Sequence, residues 1–467
     1  MNQTTHRRGV RRAGMLVALA TVGVVTTSSY RPAVISAATT TTTNRVGVMC
    51  TKDSNAAATH TSTFDLTTTV GYISLPDGNT TWTWGYSEIG KPFQHPGPVL
   101  CVNEGDAVTV HLTNTHNTVK VPTSIMFPGQ EDVKANGAPV QPVLALDGSV
   151  TSMVDTAADD GSVTYTFTAS KPGTYLYESG TDPETQVRMG LFGALIVYPA
   201  AGSTQAYNSA TSAFTLGEEF LVLLSEVDPY QHDAAESCWN APMLSPCTAT
   251  TAGLASRFDI NDYHPRYWLI NGRGFPDSVA DNKASWLPSQ PYGALARVHP
   301  FNTNPAAGLN YHPLPALTRY LNVGTEDYPF HPHGNNGSII GRDGAELRST
   351  DDKDLSFEKF SINLGPGQTW DVLSKWYDAE GYSPTNPVNV QIPSVANQVF
   401  GMFYSGSPYL GSQGTLPPGT QTLNQCGEFY IIAHNHALYQ ITSWGVNMTG
   451  PITYMRVDPP FPNNCPL

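Results

Sequence analysis

The chain has 467 residues, 24 Lys+Arg against 38 Asp+Glu, a formal net charge of −14 and 13% charged side chains, about half the share of roughly 25% usual in soluble domains. The acidic balance argues against a nucleic-acid partner, and 40% hydrophobic residues argue against a disordered chain. Abundant Thr, Gly and Pro in place of charge argue against a coiled coil or helical bundle and for short strands and many turns. The length suits two or three domains.

Residues 1–14 carry Arg7, Arg8, Arg11 and Arg12 and no acid; an apolar run follows over 15–25, then the small residues Ser36, Ala37 and Ala38. This order predicts a secretory signal over 1–38. The run is short of the ~20 residues that a bilayer span needs, which leaves a membrane anchor as the lesser alternative. The Arg pairs suggest twin-Arg export. A secreted, extracellular or periplasmic protein with no stable membrane span is the expectation. A Thr-rich polar leader occupies 39–60.

Beyond the leader, short alternating segments are bounded by Gly, Pro, Asn and Asp. Residues 107–113 (AVTVHLT) and 162–168 (SVTYTFT) alternate at period two, and 191–198 (LFGALIVY) reads as a buried strand. Residues 200–210, small and polar, suit a linker. Further strands are predicted at 220–224, 267–270, 317–323, 360–364 and 429–432, with no long amphipathic helix. The pattern is all-β: two antiparallel β-sandwiches, over 61–200 and 215–460. The second carries long loops at 231–265, 276–315 and 376–425. Six Cys in an exported chain imply disulfides. Cys50–Cys101, Cys238–Cys247 and Cys426–Cys465 form one simple pairing among the 15 possible.

The strongest chemical signal is a pair of His-x-His motifs, His331-Pro332-His333 and His434-Asn435-His436. On a strand, residues i and i+2 share a face, so each motif offers two imidazoles to one side. Two such strands side by side can surround a metal; neutral imidazole suits Cu, Zn, Fe or Ni. The other histidines carry less. His95 reads as a turn residue, His111 faces away from the apolar positions of its strand, and His299 and His312 fall in Pro-rich loops. There is no Ser nucleophile elbow, phosphate-binding loop or HExxH motif.

The motifs stand in a recognisable context: PGPVLCVNEGDAVTVHLTN at 96–114, GTYLYESGTDPETQVRMGLFGALIV at 173–197, YWLING at 267–272, LNVGTEDYPFHPHGNNGSIIGRDG at 321–344, GPGQTWDV at 365–372, and the HNH segment with its MTGPITYMRV strand. In this order they resemble the multicopper oxidase family, built of cupredoxin domains. The resemblance spans roughly 60–200 and 215–460. It implies two cupredoxin-like Greek-key β-sandwich domains, and that His331, His333, His434 and His436 match the third and fourth His-x-His motifs of the family's three-copper cluster.

Other family positions depart. The first-domain motifs fall on Met126-Phe127-Pro128-Gly129 and Glu178-Ser179-Gly180, with no histidine. Met126 offers a soft thioether and Glu178 a hard carboxylate that could help complete a site. The blue-copper positions fall on Tyr328, Asn435 and Gln440, none a blue-copper ligand, and Ser179 stands where a first-domain Cys would. The resemblance thus implies a copper-binding protein with a partial histidine cluster holding one or two ions. It would be an oxidoreductase only if completed by another chain, in a homo-oligomer or with a His-donating cupredoxin partner. The alternatives are a non-catalytic extracellular structural or binding subunit, and a copper-sequestering protein.

Overall fold

Among the described residues, 22 strands build four stacked sheets, and eighteen of them are numbered here in chain order. The computed structural model describes residues 45–52, 59–115, 118–200, 202, 204–239, 258–304, 311–378, 391–392, 422–423 and 429–460. The first eight are β1 (Cys50–Thr51), β2 (Thr61–Ser74), β3 (Thr80–Glu88), β4 (Val99–Asn103), β5 (Ala107–Thr113), β6 (Ser162–Thr168), β7 (Gly173–Glu178) and β8 (Phe192–Tyr198). They form a four-stranded sheet, β1-β4-β8-β7, and a six-stranded sheet, β3-β2-β5-β6, extended by the short strands Lys134–Ala135 and Ala138–Pro139. Parallel pairs (β4 with β8, β2 with β5) sit among antiparallel ones, as Greek-key crossovers require.

The remaining strands are β9 (Glu219–Val227), β10 (Tyr267–Ile270), β11 (Ala296–Val298), β12 (Ala316–Asn322), β13 (Tyr328–Pro332), β14 (Gly337–Arg342), β15 (Ile362–Leu364), β16 (Thr369–Ser374), β17 (Phe429–Asn435) and β18 (Ile452–Val457). Around β10-β9-β12-β16-β14 forms a seven-stranded sheet, and β11-β18-β17-β13-β15 forms a five-stranded one.

Each sandwich has its own core. Leu100, Leu195 and Tyr177 meet Leu66, Val110 and Tyr165 in the first; Val222, Tyr320 and Val372 meet Phe330, Leu364 and Met455 in the second. A third apolar layer joins the sandwiches, because β4, β7 and β8 are apolar on both faces: Val99, Leu176 and Ile196 pack on Leu221, Leu223 and Leu321. Beside it lies a buried polar joint. Arg319 Nε donates to Glu219 (2.6 Å), its guanidinium also reaches Thr174 Oγ1 (2.9 Å) and Asp371 (3.4 Å), and Tyr207 donates to Asp371 (2.6 Å).

The segments at 107–113, 162–168 and 267–270 are strands with the expected bounds. The 231–265 stretch, read as loop, begins with a helix, Pro229–Trp239. Asp228 accepts from the Tyr230 N–H (2.9 Å), and Pro229 opens the helix, a standard start. Ala235 and Cys238 bury into the first sandwich's core. Cys50 and Cys101 form a disulfide, so that pairing holds. Cys238 is disulfide-bonded too, while Cys247, Cys426 and Cys465 lie outside the described residues, as do the signal and most of the leader. Among the described residues no helix is long and apolar enough to cross a membrane.

Candidate metal centre

Strands β13 and β17 pair antiparallel with His331 opposite His434 and Phe330 opposite Asn435. Alternation does the rest. Tyr328, Phe330, Ala433 and Asn435 are fully buried toward the core, so His331, His333, His434 and His436 all project from the opposite face. The ladder continues past the strand ends: the His333 N–H donates to Ile432 O (3.0 Å) and the His436 N–H to Pro329 O (2.7 Å).

The four rings form one cluster. Centroid separations are 4.7 Å (331–333), 5.1 Å (333–434), 5.4 Å (331–436), 5.5 Å (434–436) and 5.8 Å (331–434). His333 Nε2 and His434 Nε2 are 3.1 Å apart, close to the spacing of two donors on one ion. His331 Nδ1 lies 2.8 Å from Phe360 O and His434 Nδ1 2.8 Å from Asn435 O. A carbonyl holding the proton on Nδ1 leaves Nε2 free as a ligand. Burial, then the neighbouring rings, lower the pKa of His333; burial and the same crowding lower that of His434. Both therefore favour the neutral form that binds metal. His331 and His333 also line an open groove of about 1020 Å³ with Glu358, Phe360, Lys375 and Tyr377. The donor set fits copper held by imidazole.

The inward face of the same strands is not a copper site. Tyr328 donates to the buried Glu226 (2.5 Å), which also accepts from the Thr325 hydroxyl (2.7 Å). Asn435 donates to Gln440, and Gln440 to Glu326 (2.5 Å), which also takes the Trp268 N–H (2.9 Å). These side chains hydrogen-bond to one another, with Asn435 Oδ1 left without a partner, and include neither thiolate nor imidazole. A blue copper does not fit here.

Met126 and Glu178 lie together in the first sandwich. Their backbones bridge, with the Met126 N–H donating to Glu178 O (2.7 Å), and Met126 packs on Gly180 so closely that a Cβ there would stand 2.7 Å from its Cγ. Burial raises the Glu178 carboxyl to about 7. Among the described residues no hydrogen bond or ring contact links either side chain to the four histidines, which face outward from the last layer. Phe127 fills core against Phe167, with ring centroids 4.9 Å apart, and Ser179 donates to Gln186 (2.7 Å). His95, read as a turn residue, stands in a bend and is buried there at 3% exposure. A second cluster escaped sequence reasoning: Glu218, His299 and His312, separated by 81 and 13 positions, bring their ligand atoms within 4.8 Å of one another.

Stacked Greek-key sandwiches with a surface histidine cluster define a cupredoxin-type protein. Residues 68–202 match the family profile described as multicopper oxidase. The chain is 26% identical to an L-ascorbate oxidase of Brassica rapa subsp. pekinensis over 66% of this chain and 48% of that protein. It is 34% identical to a probable nitrite reductase–hydroxylamine oxidoreductase fusion protein of Kuenenia stuttgartiensis over 26% of this chain and 13% of that one. It thus spans about half the length of the ascorbate oxidase and less of the fusion protein. In structure it is similar to the multicopper oxidase mgLAC, with a TM-score of 0.52 and 18% identity over 87% of both chains. It is also similar to the blue copper oxidase of Nitrosomonas europaea, with a TM-score of 0.50 and 18% identity over 85% of both. Residues 68–202 thus carry a multicopper-oxidase-type domain, and the likeness of the chain as a whole to the two solved structures is one of fold.

Proposed function

We propose that this chain is an exported, multicopper-oxidase-like protein whose His331, His333, His434 and His436 hold one or two copper ions. The antiparallel register that sets His331 against His434, with two Nε2 atoms 3.1 Å apart, carries this reading. Bound copper would supply one-electron redox chemistry. The chain's own residues orient the rings, favour the neutral form of His333 and His434 and leave the cluster open to a second body. Completion would come from another chain, either a His-donating cupredoxin partner or a second copy presenting Met126 and Glu178. Export to a secreted or periplasmic location is supported by the basic and apolar leader and by the Cys50–Cys101 disulfide, which favours an oxidising compartment.

A second reading, copper sequestration or a non-catalytic binding subunit, is favoured by the hydrogen-bonded network of Tyr328, Glu226, Asn435 and Gln440 at the blue-copper position, which gives electrons no copper route inward. Copper stoichiometry of the native chain against the quadruple variant H331A/H333A/H434A/H436A tests the shared claim. Loss of the bound copper supports it, and unchanged stoichiometry overturns it. Phenol or ferrous-ion oxidation by the copper-loaded chain, with and without candidate partners, separates the two readings.

A further inference from the structure

We infer that Glu218, His299 and His312 form a second metal site, for a zinc-type divalent cation, independent of the four-histidine cluster. The site is assembled from two separate stretches of chain. Glu218 precedes β9, His299 follows β11 and His312 precedes β12. The backbone fixes them: the Glu218 carbonyl accepts the Leu317 N–H (2.9 Å), the His312 N–H donates to Pro300 O (2.9 Å), and the His299 N–H donates to Glu218 Oε1 (2.8 Å).

The side chains converge on one carboxylate oxygen. His299 Nδ1 lies 2.9 Å and His312 Nδ1 3.0 Å from Glu218 Oε1, and the two rings are 4.5 Å apart, tilted by 37°. Donors on one tetrahedral ion with bonds of 2.0–2.1 Å stand about 3.3 Å apart, so each Nδ1 needs to open from Glu218 Oε1 by only a few tenths of an ångström to admit one. Glu218 is all but buried (6% of its side chain exposed), whereas His299 and His312 keep 19% and 25%. A buried anion with two imidazoles at its mouth and a water-accessible side is the pattern of a three-ligand site with an open fourth position. Two imidazoles and one carboxylate suit zinc or copper(II) rather than calcium or magnesium, which prefer oxygen. Binding at Nδ1 moves each ring's proton to Nε2. The ion would clasp the start of β9 to the segment between β11 and β12.

The test uses the full chain carrying H331A/H333A/H434A/H436A, so that the other cluster is silent and failure of one claim is distinguishable from failure of the other. Zinc chloride is titrated calorimetrically and the bound metal is measured by elemental analysis. The expected result is one zinc per chain, at least about 100-fold weaker after Glu218→Gln or His312→Ala, since a lost direct ligand exceeds the 10–100-fold cost of an outer partner. X-ray absorption on the quadruple variant needs no further substitution and should give two imidazoles in the zinc shell. No stoichiometric zinc in the quadruple variant, binding unchanged by Glu218→Gln, or a shell lacking two imidazoles would overturn the site and leave a hydrogen-bonded carboxylate clasp.

Discussion

Acidification should unfold this protein through His95, and the size of the effect follows from where that ring lies. It is 3% exposed and stacks edge-on to Phe192 at 5.2 Å. Gly190 and Gly272 close over it: a Cβ on Gly190 would stand 2.8 Å from Nδ1, and one on Gly272 3.0 Å from Cδ2. Burial, with His232 beside it adding repulsion, lowers its pKa from 6.5 to about 3. Between those values the unfolded chain binds a proton that the folded chain refuses, so stability falls as pH drops below 6.5 and levels off below about 3. At about 1.4 kcal/mol per pH unit, this one group costs about 3 kcal/mol at pH 4.5, rising toward about 5 kcal/mol at pH 3. The assay is the urea midpoint between pH 7 and pH 3.5 for the native chain and for His95→Leu. The variant should lose about 1.4 kcal/mol per pH unit of the acid slope, keeping only what His232, also buried with a lowered pKa, and other groups contribute. An identical slope in both proteins would refute a neutral buried His95.

Three further outcomes follow from the packing. Tyr328→Phe removes one donor from the buried Glu226 and should cost about 1–3 kcal/mol, read as a lowered denaturant midpoint with an unchanged m-value; no loss would mean that Glu226 does not need the phenol. Arg319→Met leaves Glu219 and Asp371 facing each other without their shared cation and should cost about 3–5 kcal/mol; a neutral or stabilising result in chemical denaturation would mean that the joint tolerates an apolar core. Replacing Cys50 and Cys101 by Ser opens a bridge between residues 51 positions apart and should cost about 4 kcal/mol by the loop-entropy relation, measured as the difference in unfolding free energy.

Much of this was legible in the sequence, because period-two alternation is a local signal. Segments such as AVTVHLT and SVTYTFT declare both the strand and its buried face, and the i, i+2 spacing of His331/His333 and His434/His436 declares that each pair projects to one side. The sequence left the pairing between those strands open; that depends on a register set by Phe330, Ala433 and the core beneath them. The helix Pro229–Trp239 was missed because its buried side, Gln231, His232, Ala235 and Cys238, holds only two apolar residues, too weak a stripe to stand out from a polar segment. The network at Tyr328, Glu226, Gln440 and Glu326 was half legible: absent ligands can be read at their positions, but the acids that now bind the replacements lie 102 and 114 positions away. Glu218, His299 and His312 share no motif at all. Only the crossover that sets β9 beside β12, in parallel register from Glu219 and Leu317, brings them together.

Metal content with absorption and electron paramagnetic resonance spectra, taken on the full chain purified from its native host, tests the central claim most directly. The account predicts at least about one copper per chain, a paramagnetic signal from nitrogen-ligated copper, and no intense blue thiolate band, since Tyr328, Asn435 and Gln440 offer no blue-copper ligand. Copper absent at any stoichiometric level, or a strong blue band, would contradict it.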